Sequence, residues 1–93
     1  MKLTFIITGF LTDFSNGERQ IQIESQASTI ADALNELWER HVGLRDRVVN
    51  EKGEQRPHVN IFLNNENVRR LQGLQTTIGP NDEITILPAV SGG

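Results

Sequence analysis

The chain has 93 residues, a formal net charge of −3 and no cysteine. This length fits one small domain that buries roughly 60–65% of its unfolded surface, too little for a deep, many-walled pocket. The interleaved charges lack the basic face that a nucleic acid requires. No apolar run approaches the ~20 residues of a membrane span, and the N-terminal run lacks a signal-peptide cleavage site, so we expect a cytoplasmic protein without membrane contact. The absence of cysteine excludes disulfides, thiolate nucleophiles and cysteine-based metal sites.

The first two predicted elements are β-strands that pair as an antiparallel hairpin. Residues 3–8, LTFIIT, are rich in β-branched and aromatic side chains, which favour a strand. Gly9 and the pair Asn16-Gly17 supply turn signals after it. Residues 20–24, QIQIE, then alternate between polar and apolar side chains, as a half-buried strand does.

A helix is predicted next. Thr29 and Asp32 form a capping signal at its N-terminus. Apolar side chains then recur at helical spacing, and Trp38 lies on the stripe that faces the core. We expect Gly43 to end the helix, although the run GLRDRVV from this glycine can add a helical turn. Residues 50–57, NEKGEQRP, are polar and rich in turn formers, so they predict an exposed loop.

Two more strands complete the predicted fold. They are residues 58–63, HVNIFL, and residues 83–87, EITIL, with a turn, NNEN, and an irregular stretch between them. The order strand–strand–helix–strand–strand predicts an α+β fold, in which a mixed sheet packs on one main helix. The first and last strands would be central neighbours. This is the β-grasp, or ubiquitin-like, architecture, and we expect it to occupy residues 1–88.

Alternation along the last two strands assigns their two faces. If Ile61 faces the helix, Phe62 and Leu87 lie on the open face of the sheet, where an apolar patch is a candidate docking surface for a partner. The alternatives are that they are ordinary exposed apolar residues, or that the alternation is inverted and they face the helix. His41 and His58 are isolated, with no metal-ligand spacing around them, so no metal site is expected.

Two stretches of the C-terminal half resemble a known family. VNIFLNNENVR combines a strand, a turn and a valine-arginine pair, and NDEITILPAVSGG combines an acidic turn, a last strand, a proline and two glycines. Val59 to Gly93 thereby resembles the ThiS/MoaD family of sulfur carriers. Asn64-Asn65 stands where the family often has Asn-Gly, and asparagine tolerates the same positive φ. The extra length at residues 43–57 resembles a longer branch that supplies sulfur for cysteine synthesis.

This resemblance implies that the terminal carboxyl of Gly93 is the working group. An E1-like adenylyltransferase would adenylate it with ATP, and a sulfurtransferase or a sulfide donor would convert the adenylate to a thiocarboxylate. The chain has no P-loop motif, so ATP is used by the activating partner and the chain binds no cofactor of its own. An acceptor synthase would then receive the sulfur. The expected role is that of a protein co-substrate, not an enzyme.

We expect residues 89–93 to form a flexible tail that threads the partner's active site. Glycine has no Cβ and allows close backbone approach, which suits the last two positions to the narrowest part of a channel. A fully extended tail of five residues spans about 17 Å. The threading residues behind the terminal Gly93 are Ala89, Val90, Ser91 and Gly92.

Three functions remain open from the sequence. The first is a sulfur carrier, whose sulfur goes to molybdopterin, thiamine, cysteine or a related metabolite. The second is a ubiquitin-like modifier that joins the same activated carboxyl to lysines. The third is a non-covalent interaction module.

Arg69 matches the family's arginine and is a further candidate docking residue for an acidic partner groove. The alternative is that its side chain is simply solvated.

Overall fold

Five strands and two α-helices make up the part of the chain that this computed structural model describes, residues 1–88. The strands are β1 (Lys2–Ile7), β2 (Gln20–Glu24), β3 (Val59–Leu63), β4 (Glu66–Asn67) and β5 (Glu83–Pro88). The helices are α1 (Ile30–Arg40) and α2 (Val42–Val48). Residues 89–93 lie outside the described residues, so the division into a domain and a tail stays a prediction. None of the described helices is long and apolar enough to cross a membrane.

The strands form one mixed sheet in the order β2-β1-β5-β3-β4. β1 pairs with β2 in antiparallel and with β5 in parallel, while β3 is antiparallel to both β4 and β5. The predicted hairpin and the predicted pairing of the first and last strands are therefore both confirmed. The architecture is the β-grasp fold that the order of elements indicated.

The core lies between one face of the sheet and the helices. Along β1, the side chains of Leu3, Phe5 and Ile7 are buried, whereas those between them are partly exposed. Ile84 and Ile86 on β5 are buried on the same face and join the same cluster. Strand alternation thus gives each central strand one face for the core and one for the opposite surface.

Helix α1 begins as predicted. The Thr29 side chain accepts a hydrogen bond from the Asp32 backbone N–H at 3.2 Å, which caps the first turn. The prediction that Gly43 ends this helix is wrong, because α1 already ends at Arg40 and Gly43 lies inside α2. The break falls at His41, whose φ of −137° and ψ of 76° leave the helical region without any need for glycine. The helical turn predicted after α1 is α2.

The connections contain three short 3₁₀ helices, Gly9–Phe14, Val68–Arg70 and Gly73–Gln75. Asn64 has a φ of 57°, so asparagine does take the positive φ at the turn after β3. The NNEN turn is shorter than predicted, since its last two residues pair with β3 as β4.

The segment between α2 and β3 is largely exposed, as the sequence predicted, but hydrogen bonds within it fix its conformation. The Asn50 side-chain oxygen accepts hydrogen bonds from the backbone N–H groups of Lys52 (2.9 Å) and Glu54 (3.0 Å). Val49 and Gln55 then form an isolated β-bridge that closes the loop. The loop therefore has a defined shape at the edge of the helical layer.

Candidate functional site

Strand β5 lies between β1 and β3 and carries the chain to one end of these strands. Pro88, its last residue, is the register partner of Val59 at the start of β3. On the other side, the backbone N–H and the hydroxyl of Thr8 both donate to the Ile86 carbonyl, at 3.3 and 3.0 Å. The predicted working group and its threading residues follow Pro88 in the sequence and lie outside the described residues: Ala89, Val90, Ser91, Gly92 and Gly93. We call the described surroundings of Pro88 the exit site.

Gly9 lies against the proline of the exit site. Its φ is +60°, and a Cβ built on it would lie 3.0 Å from Pro88 Cγ. Two separate features therefore favour glycine at this position, namely the positive φ of the backbone and the close approach of the proline ring. The turn signal at Gly9 was visible in the sequence, but its contact with a residue at the other end of the domain was not.

The two apolar docking residues predicted on β3 and β5 lie on the sheet face opposite the core. Phe62 and Leu87 are both partly exposed there. Thr85 is flanked in register by Ile6 on one side and Phe62 on the other, and Leu87 is two residues further along the same strand. We call Ile6, Phe62 and Leu87 the open-face patch, which adjoins the exit site.

Sequence reasoning missed two apolar residues in this region. Ile6 belongs to the open-face patch, and its signal was an apolar side chain at a position of β1 where alternation calls for a polar one. Phe10 follows Gly9 and is 56% exposed, a large fraction for an aromatic residue. A large exposed aromatic beside the exit site adds to the apolar surface available to a partner.

Arg69 is neither freely solvated nor simply available for docking. Its guanidinium donates hydrogen bonds to the Asn60 side-chain oxygen and to the backbone carbonyls of Arg56 (2.9 Å) and Pro57 (3.3 Å). Asn60 is the register partner of Leu87, so this exposed guanidinium is held close to the open-face patch. The role of Arg69 in docking stays a prediction, while its role in anchoring the loop before β3 is visible in the structure.

The histidines lie apart, as their sequence positions suggested. His41 Nε2 lies 3.4 Å from Glu18 Oε2, and His58 is exposed one residue before β3. Among residues 1–88, no three His, Cys, Asp or Glu side chains converge in a way that could hold a metal ion. The open-face patch and the exit site are suited to docking a partner and to presenting the chain that follows Pro88.

The parallel pairing of β1 with β5 in a mixed sheet covered on one face by α1 defines a ubiquitin-like β-grasp protein. The profile of the ThiS family matches residues 6–93, and the chain belongs to that family. It is 32% identical to sulfur carrier protein CysO of Mycobacterium tuberculosis in an alignment of 95 positions, gaps included, which covers 100% of both chains.

Two further relatives bear on the site. Small archaeal modifier protein 3 of Haloferax volcanii is 36% identical over 66 residues, which cover 71% of each chain. A chain in the crystal structure of the BexX/CysO complex of Amycolatopsis orientalis superposes with a TM-score of 0.85 at 32% identity. It covers 98% of this chain and 99% of that one. The similarity therefore extends over the whole fold and is not limited to the C-terminal half.

Proposed function

We propose that this chain is a sulfur carrier protein, a protein co-substrate that carries sulfur on its C-terminal carboxyl. The observation that carries the proposal is the ThiS-family match through residue 93, in which the sequence AVSGG follows the last residue of β5, Pro88. The relative named sulfur carrier protein CysO supports it over the full length. The terminal carboxyl, on Gly93, is the group we assign to the chemistry.

The reaction has two substitution steps, the first at the α-phosphorus of ATP and the second at the carboxyl carbon of Gly93. A carboxylate oxygen of Gly93 attacks the α-phosphorus of ATP on an E1-like adenylyltransferase, and pyrophosphate leaves. Sulfide, or the persulfide sulfur of a sulfurtransferase followed by reductive cleavage with a thiol, then attacks the acyl-adenylate, and AMP leaves with the shared oxygen. The product is a thiocarboxylate. Because the adenylation step consumes ATP, we place the reaction in the cytoplasm.

The exit site supports this chemistry by holding the base of the tail. Thr8 and Val59 pair with the two sides of β5, and the Pro88 ring rests on Gly9. A partner can then bind the open-face patch while the chain after Pro88 enters its active site. Such a patch is small, so we expect the tail to contribute part of the affinity.

A second function, that of a protein modifier, is favoured by one observation. The relative small archaeal modifier protein 3 carries that name and matches 71% of this chain. A modifier needs the same acyl-adenylate but passes the carbonyl carbon to a lysine amine, so the bond formed is an isopeptide. The two functions differ only in the nucleophile that accepts the activated carboxyl.

The decisive experiment is reconstitution with an E1-like adenylyltransferase from the same host, ATP and sulfide, followed by intact-mass spectrometry. We expect the mass gain of one oxygen replaced by one sulfur, localised to Gly93 by fragmentation. A variant lacking Gly92 and Gly93 should gain no sulfur and keep the melting temperature of the full chain, because the described residues, 1–88, already contain a buried core.

The control is the full-length Gly53→Ala variant. Gly53 lies in the loop before β3, and a Cβ on it meets no atom within 4 Å. It should acquire sulfur like the unsubstituted chain despite its own conformational cost. In a parallel reaction in which host-cell extract replaces sulfide, isopeptide ladders on host proteins with no thiocarboxylate would favour the modifier. Adenylation that is unaffected by the diglycine deletion would contradict both functions.

A further inference from the structure

Thr8 lies directly after β1 and before the 3₁₀ helix Gly9–Phe14, but its side chain does not cap that helix. Its φ of −123° and ψ of 163° place it at the N-cap position, where a threonine oxygen ordinarily accepts a hydrogen bond from the first turn of the helix. Within the described chain, the Thr8 side chain makes no such capping bond. Its hydroxyl donates instead to the Ile86 carbonyl on β5, at 3.0 Å and across 78 positions of sequence. A residue suited to a local cap therefore binds the other end of the domain.

The Ile86 carbonyl is the last group of β5 that the parallel ladder joins to β1. The Thr4 N–H donates to the Asp82 carbonyl at 3.2 Å. Four residues further along, the Thr8 N–H donates to the Ile86 carbonyl at 3.3 Å, which is long for a backbone bond. The next donor of β5 toward β1 would be residue 88, which is a proline and has no N–H. The Thr8 hydroxyl therefore reinforces the point at which the ladder ends.

Gly9 supports the same end of β5. A Cβ built on this glycine would lie 3.0 Å from Pro88 Cγ, so the proline ring rests directly on its backbone. Two neighbouring residues at the end of β1 thus hold the last part of β5, one through a hydroxyl and one through the lack of a side chain. The direction in which the chain leaves Pro88 depends on these contacts.

We propose that Thr8 is a positioning residue for adenylation, whose hydroxyl fixes the direction in which the chain leaves Pro88. This inference rests on the proposed function. The open-face patch and the tail are two linked binding elements, and a fixed junction between them raises the effective concentration of the second once the first is bound. A fixed junction also has less conformational freedom to lose on binding. Because the Thr8 hydroxyl is remote from the reacting carboxyl, its loss should change KM and leave kcat alone.

A matched pair of threonine variants tests this role. Thr8→Val keeps the branched side chain and removes the hydroxyl. Thr12→Val removes a hydroxyl that also donates to a backbone carbonyl at 3.0 Å, but that carbonyl is Gly9 of its own 3₁₀ helix. Pyrophosphate release by an E1-like adenylyltransferase from the same host measures adenylation of each full-length chain. We expect KM to rise about fivefold for Thr8→Val with kcat within about twofold, and neither to change for Thr12→Val.

Thr8→Ser provides the rescue, because it restores a hydroxyl at the same position. Its KM should return to that of the unsubstituted chain. An equal rise in KM for Thr8→Val and Thr12→Val, or no rise for Thr8→Val, would overturn the positioning role. If the unsubstituted chain supported no pyrophosphate release, the proposed function would fail instead.

Hydrogen exchange tests the contact without the enzyme. The Thr8 amide donates to the same Ile86 carbonyl as the hydroxyl, so it reports on the junction of β1 and β5. We expect this amide to exchange faster in Thr8→Val and at the unsubstituted rate in Thr8→Ser and Thr12→Val. Circular dichroism checks that all three variants fold. An unchanged exchange rate in Thr8→Val would overturn the proposal, because the hydroxyl would then not hold the end of β5.

Discussion

Gly9 and Gly17 are two glycines with positive φ in the connection between β1 and β2, but their surroundings differ. Gly9 has a φ of +60° and contacts the Pro88 ring, whereas Gly17 has a φ of +80° and would place a Cβ in open space. At both positions the left-handed conformation strains most residues that have a Cβ, and asparagine less than the others. Only Gly9 adds a steric demand that involves the exit site.

This difference predicts unequal costs for the same substitution. Gly17→Ala should lower the free energy of unfolding by about 1 kcal/mol, the conformational term alone. Gly9→Ala should lower it by about 1 to 2 kcal/mol more, because the methyl group must displace the Pro88 ring or the backbone beneath it. Urea unfolding of the two variants measures the difference. Equal losses of unfolding free energy in the two variants would contradict this prediction, because they would show that the Pro88 ring moves aside without an energetic cost.

At the scale of elements, one arginine connects three parts of the fold. Arg69 lies in the 3₁₀ helix Val68–Arg70, and its guanidinium reaches the loop before β3 at two carbonyls and β3 itself at Asn60. Three acceptors in different directions suit a planar fork with five donors better than a single ammonium group. The loop after α2 is thus fixed to the sheet at its C-terminal end.

Arg69→Lys should therefore release this loop. We expect a loss of about 1 to 2 kcal/mol in unfolding free energy, and faster hydrogen exchange at the Arg56 amide, which donates to the Val48 carbonyl at 3.0 Å. Arg70→Lys is the matched control, since the neighbouring arginine is exposed and its side chain makes no hydrogen bond within residues 1–88. Slow exchange at Arg56 in both variants would rule out the anchoring role.

Local patterns in the sequence predicted most of the strands and the main helix. The features that these patterns did not predict depend on contacts between residues that are far apart in the sequence. Alternation and the cap at Thr29 were sufficient for four strands and α1, because these patterns report on the same residues that form the element. The end of α1 at His41 was missed, since no glycine marks it. The anchoring of Arg69 and the Gly9–Pro88 contact depend on residues brought together only by folding, so no local pattern contains them.

At the scale of the whole molecule, apolar side chains are exposed in several regions of the described chain, two of which contain a leucine that can be compared. The open-face patch adjoins the exit site, while Leu71, which is 43% exposed, lies between the last two 3₁₀ helices. If the activating enzyme binds the open-face patch, a leucine in that patch should contribute more to enzyme binding than a more exposed leucine elsewhere. Leu87 and Leu71 provide the comparison.

Leu87→Ser should lower kcat/KM for adenylation by the E1-like enzyme about tenfold, the typical effect of removing one well-packed interface side chain. Leu71→Ser removes the same group from the other region and should leave kcat/KM within about twofold. Pyrophosphate release measures both. A larger effect at Leu71 would move the docking surface to that side of the molecule.

The sheet order has a consequence for how the protein is made. β5 is synthesised last among the described strands, yet it stands in the middle of the sheet, with β1 and β2 on one side and β3 and β4 on the other. Without it, the ribosome has produced two separate two-stranded ribbons, and such ribbons are marginally stable in water. Completion of the sheet must then wait until translation has passed Pro88, so a chain terminated before β5 should be degraded by proteases.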